Sequence, residues 1–325
     1  MPTNFSGGLT VDGVPVLGGG GLGLQFGNYY FVDATNGGDG NDGKSLLTPL
    51  KTAAQAMSLA TANKNDVIVL SGYATHALTA MFTIKDRVHI VGTGNFGAMS
   101  AQSAKLSMGV TTNVLDVTAV NMSGARSTIS NVKIINNNTL ANSISALKVT
   151  CEGGVLNNVA VTMPVQLDQT GVNDIIFAGD NCTCNNCVFG DDTYQFSVAR
   201  NTMKLGITAA QPAKDNYFNN CTWKLSTTTA ASALISAGTA DCVNFLNTFR
   251  GSVLFAYVNA GAGAVAIDAA VKMSASTTGT LVFDENTISA GCTKISVAGG
   301  SVNTGVKVCA PVPTAATSGI SVTAA

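Results

Sequence analysis

Between Ile129 and Phe249 polar and apolar residues alternate in short runs, and one phrase returns in altered form. It reads Ser130-Asn131-Val132-Lys133-Ile134, then Asn157-Asn158-Val159-Ala160-Val161, Asn185-Asn186-Cys187-Val188-Phe189 and Asn219-Asn220-Cys221-Thr222-Trp223, with a fainter Asn244-Phe245-Leu246 behind them. The residue after the Asn falls at 132, 159, 187 and 221, in steps of 27, 28 and 34 residues. Steps of that size mark a solenoid, in which each repeat buries its apolar face by stacking on its neighbours. Alternation with period two makes the elements strands. Asn suits the corners, because it tolerates left-handed backbone angles and its amide can bond the next Asn in the stack. Val132, Val159, Cys187 and Cys221 are therefore expected in one column. The plain alternative is an all-β protein whose Asn-rich turns recur by chance.

Ahead of the repeats, Tyr29-Tyr30-Phe31-Val32 reads as a strand and the stretch from Asp33 to Gly43 as a long turn. Thr48 is placed to cap a helix with Pro49 at its first position. Leu50, Ala53, Ala54, Met57 and Ala60 have the spacing of one apolar face, and the helix is expected to end near Asn63. Strands are predicted at 66–70, 78–84, 87–91, 114–117 and 144–149. Past Gly251 the Asn-led phrase stops, and strands at 252–258, 264–267, 280–283, 294–297 and 305–309 read either as last degenerate coils or as a small terminal β-domain. The chain thus divides into a Gly-rich arm (1–27), a β-helix (28–250, opening at 29–72), terminal coils (251–310) and an extended tail (311–325).

Only 11% of the 325 residues are charged and 46% are hydrophobic, with a net charge of −1. The polar surface must come from Thr, Ser, Asn and Gly, and no basic stripe offers itself to nucleic acid. There is no apolar run long enough to cross a membrane as a helix and no secretory leader at the start, so assembly in the cytoplasm is expected. Cys182-Thr183-Cys184-Asn185-Asn186-Cys187 looks like a metal knuckle, yet both histidines, His76 and His89, are distant in sequence. Cys187 and Cys221 hold the same slot of successive repeats, which makes them buried thiols. In the arm, Leu9, Val11, Val14, Val16 and Leu17 flank the turn dipeptide Asp12-Gly13, a pattern suited to strand addition on a partner.

Residues 29 to 72, from Tyr29 through the Asp-Gly-rich turn, the Thr48-Pro49 helix start and the strand Asp66–Leu70, resemble the opening segment of pectin-lyase-like right-handed parallel β-helices, especially those of bacteriophage virion proteins. The resemblance implies an all-β solenoid with a short N-terminal capping helix. It also implies a structural, non-enzymatic virion protein of a tailed phage, a homotrimer docked on the major capsid protein as a decoration or cement protein, with the arm residues as capsid contacts. A tail spike that binds or depolymerises host polysaccharide is the alternative. In that case Asp180, Asp192 and Arg200 are the catalytic candidates, with Asp168, Asp174 and Lys204 nearby. No cofactor is expected. Asp33, Asp39 and Asp42, with Asn36 and Asn41, offer oxygen ligands for calcium, but the spacing is wrong for an EF-hand loop and a turn held by Asx hydrogen bonds is favoured.

Overall fold

The computed structural model describes residues 10–11, 14–15, 27–94, 104–109, 117–138, 143–164, 172–191, 193, 195–237, 242–257, 267–273, 279–284, 287–288, 292–298 and 306–309. They form a parallel β-solenoid built from three long sheets, with very little helix. Sheet I holds ten parallel strands from Tyr29–Val32 to Val306–Cys309, sheet II runs from Thr75–Leu78 to Thr287–Ile288, and sheet III from Phe82–Ile84 to Cys292–Ala298. After the opening strand Tyr29–Val32 and the helix that follows it, the chain visits I, II and III in turn, so each later circuit adds one strand to every sheet. Strands 253–257, 267–273, 280–284, 292–298 and 306–309 continue the same three sheets.

The expected column exists. Sheet II register places Ala104, Val132, Val159, Cys187, Cys221 and Ser252 above one another, all buried. Inside sheet I a second column runs Tyr30, Ile68, Ile90, Ile129, Leu156, Cys184, Phe218, Phe249, Phe283. Its rings stack face to face, Phe218 on Phe249 and Phe249 on Phe283, each at 4.6 Å between centroids. Trp223 leans on Phe189, Phe218 and Phe249 within the core. Burying such a side chain contributes about 1.5–3 kcal/mol, so the columns supply most of the cohesion.

Two corners of the coil are left-handed. At the I–II corner Asn131, Asn158, Asn186, Asn220 and Gly251 have positive φ. Each donates its backbone N–H to the carbonyl one coil on: Asn131 to Asn157, Asn158 to Asn185, Asn186 to Asn219, Asn220 to Arg250, Gly251 to Asp284. At the III–I corner Asn65, Arg87, Arg126, Gly153, Asn181 and Asp215 also have positive φ, each two residues before a sheet I strand, and Arg87, Arg126, Gly153 and Asn181 donate their N–H to Ala125, Glu152, Asp180 and Lys214 O one coil on. Asn244-Phe245-Leu246 belongs to this second corner, not to the repeat expected of it. Register pairs Asn219 with Arg250, so the true continuation of the Asn phrase is Arg250-Gly251-Ser252.

The helix spans Ala53–Leu59 with Thr52, not Thr48, as its N-cap; the Thr52 hydroxyl accepts from Gln55 N. It cannot start earlier because Leu50 is engaged as a bridge to Val32, donating to Phe31 O and accepting from Asp33 N. Ala54 is exposed, and Ala53, Ala56, Met57 and Ala60 face the core. The single strand expected at 78–84 is two, Thr75–Leu78 in sheet II and Phe82–Ile84 in sheet III. In the arm, Thr10–Val11 pairs antiparallel with Val14–Pro15, while Leu9, Val16 and Leu17 lie outside the described residues.

The left-handed corners yield a direct test. Asn186→Val should lower stability by roughly 1–2 kcal/mol, since a β-branched residue is strained at this backbone angle, whereas Asn186→Gly should be close to neutral. Thermal unfolding of the pair checks it; equal losses for Val and Gly would mean that the Asn side chain, and not its backbone angle, is what the corner needs.

Candidate functional site

Sheet I presents an outer face of in-register strands. Its outward positions form two columns, Thr128, Val155, Thr183, Tyr217, Thr248 and Ser130, Asn157, Asn185, Asn219, Arg250. Asn185 Nδ2 donates to Asn157 Oδ1 at 2.8 Å and Asn219 Nδ2 to Asn185 Oδ1 at 3.0 Å. Each amide in this ladder keeps further donor and acceptor capacity for a ligand. From Thr128 to Thr248 the columns hold no acid or base other than the Tyr217 phenol; charge begins at Arg250, which pairs with Asp284 at 3.6 Å. Coils repeat every ~4.8 Å, so these positions form a regular grid. Tyr217 stands 47% exposed in it.

The III–I corner borders this face. There Phe245 is 66% exposed with φ of 54°, and Leu246 beside it is also exposed. A bulky side chain in the left-handed region costs free energy, as does an exposed aromatic ring, and such outliers cluster at functional sites. Glu152, Asp180 and Lys214 lie in one bridged row along the same corner. Lys214 Nζ is 3.4 Å from Asp180 Oδ2, with both side chains about one-third exposed (34% and 37%). This row supplies ionisable groups at the rim of an otherwise neutral face.

A different cluster fills the II–III corner. Arg200 Nη2 donates to Asp174 Oδ1 at 2.8 Å, Nη1 to Met163 O at 3.4 Å, and the guanidinium carbon lies 3.7 Å over the Phe196 ring. Both ionic side chains are only 2% exposed. Burial pushes the Asp174 carboxyl up to about 6, helped by the nearby Asp191 and opposed by Arg200 and the Met163 N–H. Asp191 is itself held by Thr193 and by Thr162 Oγ1. A pair so enclosed anchors a corner and does not reach a polymer from outside.

The residues expected to act together are therefore apart. Asp180 and Arg200 sit at opposite ends of the sheet III strands, whose register pairs Asn173 with Asn201 and Phe177 with Leu205. Asp174 instead meets Arg200. Asp168 and Asp192 lie outside the described residues, and Lys204 is on the outer side of sheet III in register with Ile176 and Ser236. The three calcium candidates do not converge: Asp33 accepts from Thr35 and Asn36, Asp39 from Lys51 and Thr52, Asp42 from Lys44 and Thr48. Among the described residues no three His, Cys, Asp or Glu side chains gather as a metal site, and the cysteines at 151, 182, 184, 187, 221 and 242 are buried free thiols. Sequence reasoning missed Tyr217 and Phe245 as surface groups; the step from Cys187 to Cys221 was the one available signal that this corner is unusual.

No family model matches the chain, and no curated protein does. Solved structures do. A pectin methylesterase in complex with a hexasaccharide is similar over 86% of this chain and 92% of its own, at 12% identity and a TM-score of 0.49. The pectin methylesterase of Erwinia chrysanthemi covers 87% and 93% at 14% identity and a TM-score of 0.46. A pectate lyase covers 86% and 78% at 14% identity and a TM-score of 0.44. The expectation that the chain is no enzyme is contradicted by these neighbours, each of which is an enzyme by name.

Removing the Arg200 charge should expose what the corner cluster is worth. Arg200→Met strands a buried carboxylate and should cost about 3–5 kcal/mol, with Asp174→Asn added in the same chain recovering part of it. Purely additive losses in the double variant would show that the two groups are uncoupled.

The buried histidines give a pH prediction. Burial holds His76 and His89 below the usual imidazole value; His76 Nε2 lies 3.1 Å from Ser71 O, while both His89 ring nitrogens lack a partner. Their folded pKa values are depressed, so the stability they carry is present above about 6.5 and is lost as pH falls below it, because the unfolded chain then binds the protons. The fall in Tm between pH 7.5 and pH 5 (roughly one unit above and below that value) should be smaller in His76→Leu than in the parent. An equal fall in both would mean that His76 is protonated in the folded state.

Proposed function

We propose that the chain binds polysaccharide, with the outer face of sheet I as the bed on which a glycan lies. The observation that carries this reading is the uncharged ladder of Asn157, Asn185 and Asn219 beside Thr128, Thr183 and Thr248, with Tyr217 exposed in the same columns. Hydroxyl-rich chains are recognised by amides and hydroxyls that satisfy their hydrogen bonds, and by aromatic rings that cover the apolar C–H faces of the sugars. A grid with a constant repeat meets a polymer that also repeats.

Depolymerisation belongs to the same reading. A chain on sheet I passes the row Glu152, Asp180, Lys214, whose carboxylates and ammonium are the groups placed to exchange a proton with it. Asp180 is thus retained from the sequence expectation, while Arg200 is excluded by its enclosure. A virion setting, a threefold assembly and a capsid-docking arm draw no support from the fold. Val11 and Val14 pair with each other in a hairpin.

The test is a panel of neutral and acidic polysaccharides, followed by calorimetry and by release of reducing ends or unsaturated uronates. Tyr217→Ala and Phe245→Ala should each weaken binding by about tenfold, the scale of one lost aromatic contact. Asp180→Asn should keep binding and abolish any turnover. Absence of binding across the panel, or affinity unchanged in both aromatic variants, would overturn the assignment.

A further inference from the structure

We propose that Cys151 and Cys182 are a paired oxidation site, which a peroxide closes into a disulfide joining one coil to the next. The two residues flank the III–I corner on adjacent coils: Asp180 N donates to Cys151 O, and Thr183 N to Gly154 O. Their sulfurs are 3.9 Å apart and each residue is 2% exposed. Two glycines make the room. A Cβ on Gly154 would lie 2.4 Å from the Cys151 sulfur and 3.3 Å from that of Cys182, and one on Gly179 would lie 2.6 Å from the Cys182 sulfur. The corner is thus shaped around the pair of thiols.

The two sulfurs are not equivalent. Cys182 Sγ accepts the Gly154 N–H at 3.3 Å. The Cys151 thiol and that N–H hold Cys182 below the ordinary thiol value against the pull of burial, while Cys151 is pushed up by its bond to Cys182 and by burial. Cys182 Sγ also lies 3.3 Å from Cys151 O and 3.5 Å from Asp180 O, to which its thiol donates; once that proton is lost the Gly154 N–H is the donor aimed at its sulfur, and this contact makes Cys182 the nucleophile. Its thiolate attacks one oxygen of hydrogen peroxide, the O–O bond breaks, and a sulfenic acid forms with hydroxide, which takes the thiol proton and leaves as water. Cys151 sulfur then attacks the Cys182 sulfur, the S–S bond forms, the S–O bond breaks, and a second water leaves with the Cys151 proton. In sum two thiols and one peroxide give one disulfide and two waters. Closure brings the sulfurs from 3.9 Å to about 2.05 Å. A peroxide is small enough to enter; the low exposure shields the pair from bulky disulfides.

The experiment treats the folded full-length protein with hydrogen peroxide and maps its peptides without reduction. The expected result is a single cross-link between the Cys151 and Cys182 peptides, two hydrogens lighter than the separate peptides, and a Tm raised by roughly 5–10 °C and restored by reductant. Cys151→Ser should stop the reaction at a sulfenic acid on Cys182 that dimedone traps, and Cys182→Ser should leave Cys151 unmodified. Cross-links that favour Cys184, Cys187 or Cys221, or oxidation that occurs only after denaturation, would overturn the inference. The parent map decides the matter even where a serine variant fails to fold.

Discussion

Every feature of this molecule depends on one constraint: the chain must turn corners without breaking the hydrogen bonds that pass from coil to coil. The sheets satisfy it through parallel register, but at two corners the backbone keeps bonding upward only in the left-handed region. Asn131, Asn158, Asn186 and Asn220 meet that demand at one corner. At the other, Arg87, Arg126, Gly153 and Asn181 meet it at varied cost. The corner angle, fixed by backbone bonds, then dictates which side chains face inward on the strands that follow.

Stacking also explains the low charge. In-register coils put equivalent side chains about 4.8 Å apart, and like charges at that distance destabilise a sheet. Residues that gain from stacking on their own kind fill the columns instead: Val and Cys in sheet II, Phe in sheet I, Asn along the rim of the outer face. Charges that do occur mostly meet an opposite partner or a neutral neighbour in the stack: Lys214 with Asp180 at a corner, Arg200 with Asp174 enclosed, Arg250 with Asp284 in sheet I, and Lys204 between Ile176 and Ser236 in sheet III. The register of Lys105 with Lys133 is an exception on sheet II.

What could be read from the sequence follows from the same physics. The Asn corner was legible because it combines a repeated residue with a repeated apolar neighbour. The second left-handed corner was not, since Arg, Asp, Gly and Asn share the slot without a common chemistry. Thr79, Ala80 and Met81 carry no Gly or Pro, so the break between sheets II and III at that point left no mark. Leu50 has the spacing of a helix face, yet its backbone is claimed by Phe31 and Asp33. Of the site, Asp180 and the Asn ladder were visible as residues. Their relation to Tyr217 and Phe245, and the pairing of Asp174 with Arg200, depend on register, which composition and spacing do not encode.

Coil length is where register and site meet. From Asn173 to Thr183 the chain advances ten residues, whereas the equivalent path from Asn201 to Tyr217 takes sixteen. The extra residues are spent at the III–I corner, where Ile207 and Gln211 close a turn and Ala213–Lys214 pairs with Val243–Asn244. Thr208 and Gln211 are exposed there. Sheet I itself is not interrupted, because a strand in parallel register cannot take up six residues without losing its ladder. The insertion therefore builds a raised edge beside a continuous neutral face, at the same coils that display Tyr217 and Phe245. A solenoid can modify a binding surface in this way only at its corners, and the III–I corner is where Phe245, Glu152, Asp180 and Lys214 stand beside the outer face of sheet I.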